Sequence, residues 1–192
     1  MPKDKREICK SDIMSLDIYT KNRKELRKSI VEFKKDRRIA LGPYATFYFE
    51  SYETMLAQIQ EMLYIEKGGD EQLNDELTAY NPLIPNGMEL TATLMFEIDN
   101  PISRAAFLSK VGGIEEKVFM KVDGEIIKAV PEEDVDRTSS EGKASSVQFI
   151  HFKLNKQQIE KFKSNSSQIE LGINHNDYSH STKLNELNIK SL

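Results

Sequence analysis

Alternation of apolar and polar side chains is clearest between Met88 and Ile98. Met88, Leu90, Ala92, Leu94, Phe96 and Ile98 fall on one side of an extended chain, and Glu89, Thr91, Thr93, Met95 and Glu97 fall on the other. A period of two predicts a strand with one face on a core. Burying each of its larger side chains is worth roughly 1.5–3 kcal/mol, enough to anchor a sheet. The lead-in is stiff. Pro82 and Pro85 fix two φ angles and remove two N–H donors. Asn81 and Ile84, each before a proline, are expected in extended backbone. Asn86-Gly87 marks a turn just ahead of the strand.

Other segments change period. Ser11 is placed to cap a first helical segment carrying Ile13, Met14 and Leu16. A second amphipathic stretch covers 23–38, with Leu26, Ile30, Val31 and Phe33 on its apolar side. Residues 39–50 read as a strand broken early by Gly42-Pro43. The stripe Tyr52, Met55, Leu56, Ile59, Met62 and Leu63 predicts a helix over 52–66, stopped by Gly68-Gly69. Asp70 caps a shorter helix, and Asn100-Pro101 opens another. Residues 118–130 read as a hairpin turning at Asp123-Gly124. Residues 131–144 read as a mobile loop. Residues 145–154 are apolar on both faces, which predicts a central strand. Asn155 and Gln158 form a capping box, and 168–173 alternate again. Strands in runs linked by tight turns, with helices between blocks, predict an α+β fold with a mostly antiparallel sheet and helices packed on it. The expected organisation is a flexible N-terminus over 1–10, a single α+β domain over 11–178, and a polar C-terminal tail over 179–192.

Charge adds an asymmetry. The net is −4 over 192 residues, yet residues 1–38 hold thirteen Lys/Arg against seven Asp/Glu, while residues 50–79 hold one Lys against eight Asp/Glu. The simplest expectation is that the two stretches attract each other. No apolar run approaches the roughly 18 residues a membrane-spanning helix needs. Cys9 is the only cysteine. It excludes an intramolecular disulfide and any cysteine-based cluster within the chain, and it points to a reducing cytoplasm.

Candidate chemistry is sparse. His151 lies in a strand pattern, on the side of Val147 and Phe149. His175, Asp177 and His180 cluster closely enough for a loop metal site, although turn chemistry accounts for such residues equally well. No Glu-x-x-His pair supports a ferritin-like di-iron centre. There is no GxGxxG, and Gly142-Lys143-Ala144-Ser145 lacks the first glycine of a phosphate loop. An overall acidic chain without a recognised module argues against nucleic-acid binding. The sequence implies no cofactor. A polar ligand site near the proline-stiffened lead-in would draw on Gln60, Glu61, Tyr80, Asn81, Glu89 and Gln148.

Several blocks together resemble a known family. They are Arg37-Arg38-Ile39-Ala40-Leu41-Gly42-Pro43, Phe49-Glu50, Gln60-Glu61-Met62, Tyr80-Asn81-Pro82-Leu83-Ile84-Pro85, Glu89-Leu90-Thr91-Ala92-Thr93-Leu94 and Ser146-Val147-Gln148-Phe149. As a set they resemble the bacterial domain-of-unknown-function family numbered 3501, from about Met14 to Tyr178. Tyr64 stands where that family typically has arginine. The resemblance implies no established activity. By genomic company it implies rubrerythrin-like and iron–sulfur oxidoreductase proteins as partners, hence a non-catalytic accessory role in a redox system.

Overall fold

The computed structural model describes residues 6–132, 142–164 and 167–192. The chain divides into two compact units. One comprises the residues up to Lys35 with Glu50–Asn86, and the other comprises Asp36–Phe49 with Gly87–Leu192. The described residues form six α-helices and two antiparallel sheets, an α+β fold.

The first unit is helical: α1 (Leu16–Lys34), α2 (Tyr52–Glu66) and α3 (Gly69–Tyr80). The first helical segment read from the sequence is only a 3-10 turn at Lys10–Asp12, with Ile13 and Met14 outside any helix, while the second begins earlier than read, because no glycine or proline interrupts Leu16–Lys34. Tyr19, Arg23, Leu26, Ile30 and Phe33 recur at steps of four and three, so they share one face of α1. Val31 lies off that face and is 68% exposed. Helix α2 starts on a reciprocal cap. The Thr54 N–H donates to the Ser51 hydroxyl, and the Ser51 N–H donates to the Thr54 hydroxyl. Its end falls one residue before the glycines, with Lys67 itself left-handed at φ 57°.

Residues 6–10 are held rather than loose, and 1–5 lie outside the described residues. Ile8 is buried, and the Asn81 side chain brackets it. The carboxamide oxygen accepts the Ile8 N–H at 2.8 Å, and the nitrogen donates to the Ile8 carbonyl at 3.1 Å. Asn81 departs from expectation in its backbone. It keeps helical angles, φ −59° and ψ −37°, because a 3-10 turn over Asn81–Leu83 continues α3 past the first proline. Ile84, before the second proline, is extended as expected.

The second unit holds both sheets. One has the order β1 (Arg38–Leu41), β2 (Ala45–Phe49), β3 (Glu89–Phe96), β7 (Val147–Lys153), β6 (Val130–Pro131). The other has the order β5 (Glu125–Lys128), β4 (Val118–Val122), β8 (Ile169–His175), β9 (Tyr178–Lys183). The strand read most clearly from the sequence is central in the first sheet, paired with β2 and β7. Phe47, Leu94 and Phe152 from that sheet share one core with Met120, Leu171 and Ile173 from the other. Helices α4 (Pro101–Leu108), α5 (Lys156–Lys163) and α6 (Glu186–Ser191) complete the unit.

Three sequence expectations gain detail here. The antiparallel pairing expected from the sequence is divided between two sheets. The polar face of β3 is also covered, with Thr91 1% and Thr93 4% exposed; threonine tolerates this because its β-branched body packs like valine on a pleated surface. In the polar stretch 179–192, Ser179–Lys183 pair along β8 and Leu184 is buried in the core. Most of the loop read over 131–144 lies outside the described residues.

Candidate functional site

In the helical unit, α1 and α2 enclose a groove of about 240 Å³. Its floor is apolar: Leu26, Ile30 and Phe33 from α1 face Leu56 and Ala57 from α2. Gln60 and Glu61, two of the residues singled out from the sequence, line its end. Gln60 holds the approach to α1, where its oxygen accepts the Met14 N–H at 2.9 Å and its nitrogen donates to the Met14 carbonyl at 3.2 Å.

Glu61 is the hub of a charged cluster. Arg23 grips it bidentately, Nε to Oε1 and Nη2 to Oε2, both at 2.9 Å. The Tyr19 hydroxyl donates to Oε1 at 2.6 Å. The Arg23 guanidinium lies 4.4 Å from the centroid of the Tyr64 ring, a cation–π contact. An arginine at position 64 would set two cations together instead. The Arg23 bond holds the Glu61 carboxyl below its ordinary range, and burial together with Glu61 pushes the Tyr19 phenol well above its own. This cluster answers the charge asymmetry of the sequence, since the basic N-terminal stretch and the acidic one meet at Arg23–Glu61 and at Lys10–Asp70. Tyr19, Arg23 and Tyr64 were not singled out from the sequence as site residues. Their signal was the step of four from Tyr19 to Arg23 on one helix face, combined with the opposite charges of the two stretches.

A second cluster lies in the sheet-bearing unit. His151 faces Thr91 across the β3–β7 ladder. Its Nδ1 is 3.1 Å from Glu89 Oε2 and its Nε2 is 3.0 Å from Glu132 Oε2. The Glu89 bond raises the His151 pKa against the opposing effect of burial, and Glu132 adds to the rise. With both ring nitrogens occupied by carboxylates on opposite sides, the three groups form a hydrogen-bonded charge triad and cannot converge on one metal ion. A histidine whose folded pKa lies above its unfolded value stabilises the fold fully below about pH 6.5, and that contribution is lost as pH rises through the folded pKa. Thermal melts from about pH 6 to about pH 9 should therefore show stability falling with pH, and His151→Gln should flatten the slope. An unchanged slope in the variant would assign the dependence to other groups. Glu132 carried no sequence signal beyond membership of an acidic loop.

The remaining sequence-selected residues take separate places. The Tyr80 hydroxyl accepts from Gln58 at 3.4 Å, and Asn81 brackets Ile8. Neither lines the α1–α2 groove. Gln148 and Glu89 are not brought together, because the register sets Gln148 against Leu94 and Glu89 against Lys153. Gln148 is 1% exposed and donates to the Ser145 carbonyl at 3.1 Å. In the loop cluster, His175 Nδ1 accepts the Asp177 N–H at 3.1 Å, a turn contact. His180 packs edge-on against Tyr178, 4.6 Å between centroids. Among the described residues, no group of three His, Cys, Asp or Glu is arranged to hold a metal ion. No helix among them is long and apolar enough to cross a membrane.

Residues 7–192 match the family described as "Protein of unknown function (DUF3501)". The crystal structure of a novel protein of unknown function from Burkholderia pseudomallei is similar. It is 33% identical, the alignment covers 96% of each chain, and the TM-score is 0.89. No curated protein matches the chain.

Proposed function

The chain belongs to the family of proteins of unknown function DUF3501, and we propose that it is a non-catalytic accessory protein that docks a partner protein through the α1–α2 groove. One observation carries the reading. An apolar trough that leaves Phe33 39% and Met14 40% exposed runs beside a cationic helix surface bearing Lys24, Arg27 and Lys28. That pairing suits an amphipathic helix whose apolar stripe fills the trough and whose acidic side chains face α1. The Glu61 cluster is internally neutralised by Arg23, so it stiffens the groove's end instead of offering a free charge. A reducing cytoplasm suits the single cysteine. The family resemblance makes rubrerythrin-like and iron–sulfur oxidoreductase proteins the first partners to test.

The test is titration calorimetry with a purified rubrerythrin-like protein and with a purified iron–sulfur oxidoreductase. At least one should bind. Phe33→Glu should abolish that binding, and Arg27→Glu should weaken it at least tenfold. Failure of both proteins to bind would discard the redox assignment, and binding that survives Phe33→Glu would discard the groove.

A further inference from the structure

The four-stranded sheet of the second unit turns one face to the core. The other face is built differently. The register sets a row across all four strands, Lys128–Phe119–Gly172–Ser181, and beside it a second row, Ile126–Lys121–Glu170–Lys183. The far end of the Phe119 ring lies over Gly172. A Cβ on Gly172 would stand 2.3 Å from Phe119 Cζ, a distance no side chain tolerates, so only glycine lets the ring rest on the backbone there. Phe119 remains half-buried and forms part of the lining of a surface cavity of about 530 Å³.

Charged groups around the ring are mostly cationic. Lys117, Lys121 and Lys128 line the cavity, and Lys183 ends the neighbouring row, against Glu116 and Glu170. Lys121 Nζ lies over the ring face, 5.0 Å from its centroid and 3.1 Å from Glu170, so a base stacking there displaces it. Ile126 leaves an apolar edge that is 60% exposed. Asn174, Ser179 and Ser181 add hydrogen-bonding groups on the far side. The net charge of −4 for the whole chain therefore hides a face of the opposite sign.

We propose that this face binds a nucleotide unit, a heterocyclic base stacked on Phe119 and Ile126 with its phosphate held by Lys117 and Lys128. An aromatic ring on a four-stranded sheet among lysines offers both parts of that recognition: a π-face tolerant of any base, and charge for the phosphate. A cover for the glycine would explain the ring alone. It does not explain the lysines gathered around it. The cavity's volume suits one such unit, and the open sheet continues past it, so the ligand is either a free nucleotide or one residue of a single strand.

The experiment uses the full chain and two probes, adenosine monophosphate and a short fluorescein-labelled oligoadenylate. Amide chemical shifts should move in β4, β5, β8 and β9 with one or both. Phe119→Leu keeps Gly172 covered and removes the stacking ring, and should raise the dissociation constant about tenfold. Lys128→Ala should weaken oligonucleotide binding and flatten its salt dependence by about one unit of slope. Tighter, salt-sensitive binding of the oligonucleotide identifies a strand; comparable binding of the monophosphate identifies a free nucleotide. Either result supports the site. Should Phe119→Leu fail to fold, Lys117→Ala and Lys128→Ala carry the test at exposed positions. The proposal is overturned if neither probe shifts these strands at millimolar concentration, or if binding is indifferent to the lysine substitutions.

Discussion

Tyr178→Phe should destabilise the protein by about 3 kcal/mol and lower its melting midpoint by about 10 °C. The phenol holds the β1–β2 turn from inside. Its hydroxyl donates to the Leu41 carbonyl at 2.5 Å and accepts the Tyr44 and Ala45 N–H groups at 3.1 and 3.0 Å. Phenylalanine keeps the ring and its contacts with Phe96 and Phe107. It leaves three backbone groups without this partner, and a buried unsatisfied backbone group costs about 1–3 kcal/mol. Gly42 shows how closely the turn is fitted to the tyrosine. Its φ is +63°, and a Cβ there would stand 2.7 Å from the Tyr178 hydroxyl. Calorimetric unfolding of the wild type and variant gives the number directly. A loss under about 1 kcal/mol would mean that water reaches the turn once the hydroxyl is gone.

Arg37→Met should cost a similar amount, about 3 kcal/mol, and should act through the C-terminus. Arg37 is 6% exposed although its neighbours Asp36 and Arg38 are not buried. Its Nε donates to the Phe49 carbonyl at 3.1 Å, and Nη1 donates to the Ser191 carbonyl at the end of α6. From the other side, Asn188 Nδ2 and the Ser191 hydroxyl both donate to the Asp36 carbonyl, at 2.8 and 3.1 Å. Methionine retains the apolar stem and removes every charge-assisted bond. Because the guanidinium and α6 serve each other, deleting residues 186–192 and substituting Arg37 should be strongly non-additive in a double-mutant cycle. Simple addition of the two losses would show that α6 is docked independently of Arg37.

Both residues mark a limit of reading from sequence. Local chemistry was legible wherever a pattern is set by neighbours in the chain. The alternation of β3, the Asn155–Gln158 box and the Asp123-Gly124 turn all appear where expected, the last with positive φ at both residues. The α+β class follows from such segments, as does the family likeness carried by blocks such as Tyr80–Pro85. Arg37 falls at the end of the amphipathic stretch read over 23–38, and only a segment about 150 residues later makes it an interior residue. Gln148 was chosen as a polar candidate on a strand, yet the pleat turns it to the side of Ile150 and Phe152. In the candidate groove, Gln60 and Glu61 were legible as polar residues on an apolar helix. Tyr19 and Arg23, the partners of Glu61, lie about 40 residues earlier, and no short-range rule links them to it.

The division of the chain also bears on the order in which it folds during synthesis. The chain leaves the helical unit at Lys35, returns at Glu50 and leaves again at Asn86. Neither unit is a continuous stretch of polypeptide. A nascent chain about 90 residues long already carries every segment of the helical unit, together with a β1–β2 hairpin whose partner β3 is yet to be made. That hairpin must wait, with its β2 edge exposed, until β3 leaves the ribosome. Strand pairing across such long separations is slow, because loop closure is opposed by chain entropy before the contacts form. The helical unit is thus in a position to fold first. The hairpin is the stretch of chain that joins its two segments, since Lys35 and Glu50 bracket it.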